Sequence, residues 1–341
     1  MDRSLAGASA LFVAILVLAA ASLCYGQVIL SPLDVIGAMT GSGDPTLSEI
    51  VWAIRLPRVL TAVVAGGALG VAGTLMQALF RNPMADAWSL GLVAGGQLGV
   101  GFAVAGAAFA GPAVLLFLTS FAGLSLTLGA VIGVAATAAA MAALARRVGN
   151  ITLLVVGLML GFTAQGLVSV ILHFASRVGG RVFSGWDDGT FSAATTADLP
   201  WLVVPVVCGL ALAVVNAKGL TALLLGETYA ASLGTNVPRL RRSILAATVL
   251  LAAPVTALCG PVTFVGLIVP HLARRLARTA RILPLIPLAG LAGALLALGA
   301  DFIVHLPWEQ HFLHLNAVLA LVGAPVVIAL LVFAPAMRSS D

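Results

Sequence analysis

Charge is what this sequence has least of. Its 341 residues include 17 Lys or Arg and 12 Asp or Glu, so only 9% are charged, where a soluble domain carries about 25%. That is too little to cover a water-facing surface. A soluble enzyme, a nucleic-acid binder and a disordered chain are all excluded. The chain has one lysine, Lys218, set between Ala217 and Gly219. A G-x-x-x-x-G-K-[ST] loop therefore cannot exist here, and ATP cannot be held in a P-loop. Work driven by ATP must come from another subunit. The three cysteines, Cys24, Cys208 and Cys259, are scattered through apolar segments. They suit small packing residues better than disulfides or a metal site, and no metal or cofactor is expected in this chain.

What the sequence does have is apolar surface: 61% of residues are hydrophobic, and mean hydropathy is +1.14. Stretch after stretch runs ~20 apolar residues, enough for a helix to cross ~30 Å of hydrocarbon. The expectation is an all-α, polytopic membrane protein forming one domain over 1–341. Candidate spans fall at about 5–25, 57–79, 89–110, 114–145, 151–173, 197–216, 242–260, 262–277, 283–305 and 314–334. Only Gly260-Pro261 separates the seventh from the eighth. Arg3 followed by Leu5–Tyr25 resembles a secretory signal, but the run is long and lacks a clean A-x-A site. It reads as an uncleaved first span.

Ten spans put both termini on one side, and basic residues choose it. With the N-terminus inside, the cytoplasmic group is Arg3, Arg81, Arg146, Arg147, Lys218, Arg239, Arg241, Arg242, Arg274, Arg275, Arg278, Arg281 and Arg338, thirteen of the 17 basic residues. Arg55, Arg58, Arg177 and Arg181 remain outside. Two outer loops are long, about 26–56 and 174–196. The largest inner loop, about 217–241, contains TALLLGETYAASLG, which reads as helices lying at the cytoplasmic surface. Glycines at four-residue spacing recur: Gly91/Gly95/Gly99, Gly66/Gly70, Gly129/Gly133 and Gly157/Gly161. Such faces let helices approach closely in lipid. A pathway-lining role is strongest for Gly157 and Gly161, because Gln165 follows at the same spacing.

Several longer motifs are specific. From Arg55 the chain reads RLPRVLTAVVAGGALGVAGTLMQALFRNPMADAWSLG, then LLLGETYAASLGTNVPRLRR, GPVTFVGLIVPHLARRL, LPLIPLAGLAGALLALGAD and NAVLALVGAPVV. In this order and spacing the sequence resembles the FecCD-type permease family over about residues 30–335. That family imports iron-siderophores, haem and cobalamin through ABC transporters. The resemblance implies a homodimer of ten-helix subunits in the bacterial inner membrane, two cytoplasmic ATPase subunits that bind the ATP, and an external substrate-binding protein. It also implies a translocation path at the dimer interface, with this chain a non-catalytic permease. An iron complex, ferric siderophore or haem, is the expected cargo; a cobalamin importer is the alternative.

Arg55 and Arg58 flank Pro57 at the outer mouth of the second span. Snorkelling at the interface explains them on chemistry alone. The resemblance implies instead that they receive glutamates of the binding protein, which suits the bidentate fork of arginine. Gly226 and Glu227 fall, by resemblance, in the segment that docks on the ATPase. A second acid common in the family is replaced by Thr228. Asn82, Pro83 and Asp86 form the turn NPMAD, where a proline stop and side-chain caps are a structural device. Pro270-His271 reads the same way, with His271 bonded to carbonyls that the proline frees.

Asp301 is the sharpest charge inside a span, and ionisable groups there have partners. His305 lies four residues on, along the same face, so an interaction that makes transport depend on pH is expected where histidine titrates. By resemblance, His305 stands where cobalamin-type members carry a docking arginine. The family's E-L-P is replaced by Phe312-Leu313-His314, with Asn316 where glycine is common. His305, His311 and His314 thus gather at the outer mouth. They read as pore-mouth or gate polarity, without the acids of a metal site. An ion-coupled secondary transporter would need more buried acids, and an intramembrane enzyme would need a nucleophile–base pair.

Overall fold

The computed structural model describes residues 2–109, 122–145, 147–175, 177–307 and 313–333. Among them the chain is all-helical. The α-helices are α1 (Asp2–Cys24), α2 (Pro32–Thr40), α3 (Pro45–Glu49), α4 (Leu56–Phe80), α5 (Leu92–Phe109), α6 (Ala122–Leu144), α7 (Asn150–Phe174), α8 (Arg177–Asp187), α9 (Leu199–Leu223), α10 (Glu227–Ser232), α11 (Val237–Cys259), α12 (Val265–Ala277), α13 (Ile282–Val304) and α14 (Leu315–Phe333).

The centre of the subunit is α4. It is buried on nearly all sides, as a helix apolar all round must be, and packs against α13, α12, α11, α9 and α1. Water does not drive helices together in lipid, so close approach does the work. Glycines supply that approach. A Cβ on Gly66 would overlap Gly293 O, and one on Gly70 would meet Ala289 O at 2.5 Å. The α5–α6 contact is reciprocal: Gly99 lies on Gly129 O, and Gly133 on Gly95 O. The four-residue glycine spacings are thus the seams of the bundle.

Seven helical stretches among the described residues are long and apolar enough to cross a membrane: Leu5–Cys24, Pro45–Phe80, Leu126–Leu144, Ile151–Phe174, Leu199–Leu223, Val237–Cys259 and Ile282–Val304. The polytopic, all-helical class is therefore as expected. Helices α5, α12 and α14 occupy three further expected spans but are shorter in their described apolar parts. The first part of the fourth expected span, together with His311, Phe312, Arg146 and Arg338, lies outside the described residues.

Several boundaries differ from expectation. The helix expected to start near 57 begins at Pro45 and passes through a π-helical turn, Ile50–Arg55, into α4. Pro57 explains the widening: it has no N–H for the carbonyl of Ala53, so the preceding turn opens to i→i+5 bonding. The expected loop 174–196 holds α8, a strongly amphipathic helix laid against α5. The Gly260-Pro261 break is real. Gly260 (φ 73°) and Phe264 (φ 65°) turn the chain through the left-handed region between α11 and α12. Non-helical backbone at such a place must be satisfied by protein, and the side chain of Asn316 does this. Its Oδ1 accepts from Thr263 N at 3.1 Å, and its Nδ2 donates to Pro261 O at 2.8 Å. A glycine there could do neither.

Candidate functional site

At one end of the bundle a buried ionic network forms around Asp301, near the end of α13. The carboxylate is 1% exposed, and Arg58 is 5% exposed. Arg58 Nε lies 3.2 Å from Asp301 Oδ2; its N–H does not line up with that oxygen, so the contact is ionic rather than a linear hydrogen bond. Arg58 Nη2 donates to Ser22 O at 3.3 Å. Arg55 is also buried and donates to Leu23 O and Val28 O. The carbonyls of Ser22 and Leu23 belong to the last turn of α1, where the helix leaves them without donors and its dipole favours a cation. Both arginines are therefore turned into the subunit. The outward presentation expected of a docking pair is not there, because the end of α1 and Asp301 take up their guanidinium groups.

His305 does meet Asp301. Its Nδ1 lies 3.3 Å from Asp301 Oδ1 and 2.8 Å from Asp301 O, while Nε2 lies 3.1 Å from Ser192 Oγ. The segment after α8 is thereby tied to the end of α13. A second tie runs from His314 Nδ1 to Asp188 Oδ2 at 3.2 Å. So His305 and His314 each pair with a different carboxylate rather than forming one cluster. Among the described residues no group of three or more His, Cys, Asp or Glu is placed to hold a metal ion. Next to them, Asp187 accepts from Gln97 Nε2 at 2.6 Å. Burial pushes its carboxyl above the usual range; the Gln97 hydrogen bond pulls it down, and the charge of Asp188 adds to the rise.

At the opposite end, Gly226 (φ 119°) precedes α10 and Glu227 opens it. Glu227 Oε1 lies 3.2 Å from Arg241 Nη2, and Arg241 Nη1 donates to Ala145 O and Val148 O at 3.2 and 3.1 Å. Close by, the turn after α4 is knitted to α12. Asn82 Oδ1 accepts from Met84 N at 2.9 Å, and His271 Nε2 lies 3.2 Å from Pro83 O. Gln77, within α4, links to both Leu267 O and Arg274. Sequence reading had not singled out Gln77, Arg241 or Arg274. A polar residue inside the apolar run of α4 was the available signal for Gln77.

The glycines of α7 and Gln165 part company. Gly157 is buried and Gly161 half-buried against Gly91 and Ala94, in a stripe with Leu153, Ala164 and Val168. Both let α7 approach the start of α5 closely. Gln165 is exposed, as are Thr152, Thr163, Ser169 and His173. Five polar side chains thus lie away from the bundle on one apolar helix. They are interspersed with exposed apolar side chains, among them Ile151, Met159, Phe162, Val170 and Phe174, and α1 likewise exposes Leu5, Phe12, Val13, Leu16 and Val17.

Residues 14–333 match the model of the FecCD transport family. The chain belongs to that family. It is 34% identical over 326 residues to the ferric enterobactin transport system permease protein FepD of Escherichia coli (strain K12), covering 94% of this chain and 93% of that protein. It is 33% identical over 315 residues to the vitamin B12 import system permease protein BtuC of Vibrio cholerae, covering 91% and 88%. Among solved structures, an inward-facing chain described as of the metal-chelate ABC transporter type superposes with a TM-score of 0.82 at 25% identity. That match covers 96% of this chain and 98% of the other. FecCD membership and the seven apolar stretches together make this a multi-pass membrane transport protein.

Proposed function

We propose that this FecCD protein is the permease subunit of a binding-protein-dependent ABC importer for an iron complex, a ferric siderophore or haem. The translocation path would lie between two copies in the bacterial inner membrane. The exposed polar side chains of α7, Gln165 and Ser169 above all, carry this reading. Polar side chains on a spanning helix face protein or water rather than acyl chains, and among the described residues Gln165 and Ser169 are left exposed. A second copy across a hydrated path would cover them. The FepD relative favours an iron chelate, and the BtuC relatives keep cobalamin as the second reading. In this reading α5, α12 and α14 complete ten spans, both termini are cytoplasmic, and α10 faces a separate ATPase that binds the nucleotide. Reconstitution with that ATPase and the binding protein, followed by uptake of labelled ferric siderophore, haem and cobalamin, tests it. Ser169→Cys should cross-link two copies by oxidation, whereas Val17→Cys on α1 should not. Equal cross-linking at both positions would remove the interface.

With Arg55 and Arg58 buried in this subunit, this reading adds exposed basic residues to the docking surface. On α8, Arg177 and Arg181 are exposed and one helical turn apart, which lets both meet carboxylates at once. Rim charges act mainly on association rate and its salt dependence. Arg177→Glu with Arg181→Glu should slow association of the binding protein by about 10-fold or more at low salt, as read by surface-immobilised kinetics. Unchanged kinetics would place the docking surface elsewhere.

A further inference from the structure

We propose that Arg241 is a positioning residue that makes the start of α7 follow α10. The guanidinium joins α10 and α11, neighbours in sequence, to the distant turn after α6. One nitrogen reaches the carboxylate that opens α10, and the other holds Ala145 O and Val148 O in the turn after α6. That turn ends at Gly149, whose carbonyl accepts the first bond of α7, from Leu153 N at 2.9 Å. Arg241 itself is rooted in the second turn of α11, which is capped by Asn236 Oδ1 accepting from Arg239 N.

The chemistry of the contact makes it stiff. Helix α6 ends at Leu144, so Ala145 O lacks an intrahelical donor and sits at the negative end of the helix dipole. Val148 O lies in the turn just before Gly149, the N-cap of α7. Glu227 lies at the opposite, positive end of α10. One planar fork satisfies both, with two edges set at a fixed angle; a lysine ammonium is a single point on a flexible stem. The Arg241 side chain is 11% exposed against 44% for Glu227, so the joint is shielded on the arginine side while the carboxylate faces the surface. A push on α10 therefore reaches the turn 145–148 through short, directed bonds, and through it the helix bearing Gln165 and Ser169.

This rests on the reading of α10 as the ATPase contact, and the two are separable. In the full complex with its ATPase and binding protein, Thr228→Cys carrying a photo-cross-linker tests the contact alone. For Arg241, the readout is substrate transported per ATP hydrolysed in proteoliposomes. Arg241→Ala should keep the ATPase bound and hydrolysing while this ratio falls about tenfold, the scale on which residues between sites alter coupling. Arg241→Lys should recover part of the ratio. A ratio for Arg241→Ala within about twofold of wild type would overturn the proposal. Should Arg241→Ala fail to fold, wild-type arginine can be tested with spin labels at Thr228 and Arg147. Their separation should stay constant between nucleotide-free and vanadate-trapped states, while the separation between two copies labelled at Ser169 changes. A changed 228–147 separation would show that the turn does not follow α10, and would also overturn it.

Discussion

Asp301→Ala should leave little folded subunit. Among the described residues, the substitution removes the one carboxylate paired with Arg58 and leaves a guanidinium that is 5% exposed, hydrogen-bonded to Ser22 O. Breaking one side of a buried ion pair costs about 3–5 kcal/mol, because the remaining charge stays desolvated and uncompensated. The same substitution takes away the carboxylate 3.3 Å from His305 Nδ1 but keeps the backbone carbonyl of residue 301, 2.8 Å from that nitrogen. The decisive companion is the double variant Arg58→Leu with Asp301→Ala. With both charges gone the charge stranded by the single variant is removed as well, and such replacements are often neutral or stabilising. Thermal unfolding of the detergent-purified protein should show a large loss for the single variant and recovery of most of it in the double. If the double variant is as unstable as the single one, the ion pair is not what holds this end together.

This network was legible in part. An aspartate beside His305 at helical spacing points to their contact from sequence alone, because both residues lie on one helix. Arg58 belongs to the same cluster from 243 positions away, and nothing local announces it. Arg55 and Arg58 were read as facing outward because they run against the basic bias and flank a rigid proline. That logic sees charge and backbone stiffness, but not the carbonyls at the end of α1 that both arginines reach. The helices themselves lie close to the expected ranges, since hydropathy over ~20 residues is a local property. Where the backbone leaves the helix, the explanation is again distant: Thr263 and Pro261 are completed by Asn316, a residue whose departure from glycine looked incidental. Amphipathic α8 was hidden in a stretch that is neither a span nor simply a loop. The glycine spacings were the reverse case. Their pattern was plain, and the structure assigns the partners: Gly66 to Gly293, Gly99 to Gly129, Gly157 to Gly91.

Gly73→Ala should be among the most damaging single methyls at the described glycines. Pro270 lies four residues after Gly266 in α12 and has no N–H, so it cannot donate to Gly266 O as an ordinary helix would. The freed carbonyl stands against α4 at Gly73, and a Cβ there would fall inside its van der Waals radius. The obstruction is backbone, not the end of a flexible side chain. Relief would require α12 to move off α4, and with it the Gln77 contacts to Leu267 O and Arg274. Overpacking of a close-packed interior costs about 1–3 kcal/mol when side chains can give way; here they cannot, so the upper end is the floor. Gly290→Ala is the matched control. It sits on α13 facing the same central helix, but its added methyl would meet Val71 Cγ2 at 3.8 Å, an ordinary contact. Expression, monodispersity and thermal unfolding should therefore stay near wild type for Gly290→Ala and collapse for Gly73→Ala. Equal tolerance of the two would mean that α4 and α12 are not held at the separation on which the central packing of this subunit depends.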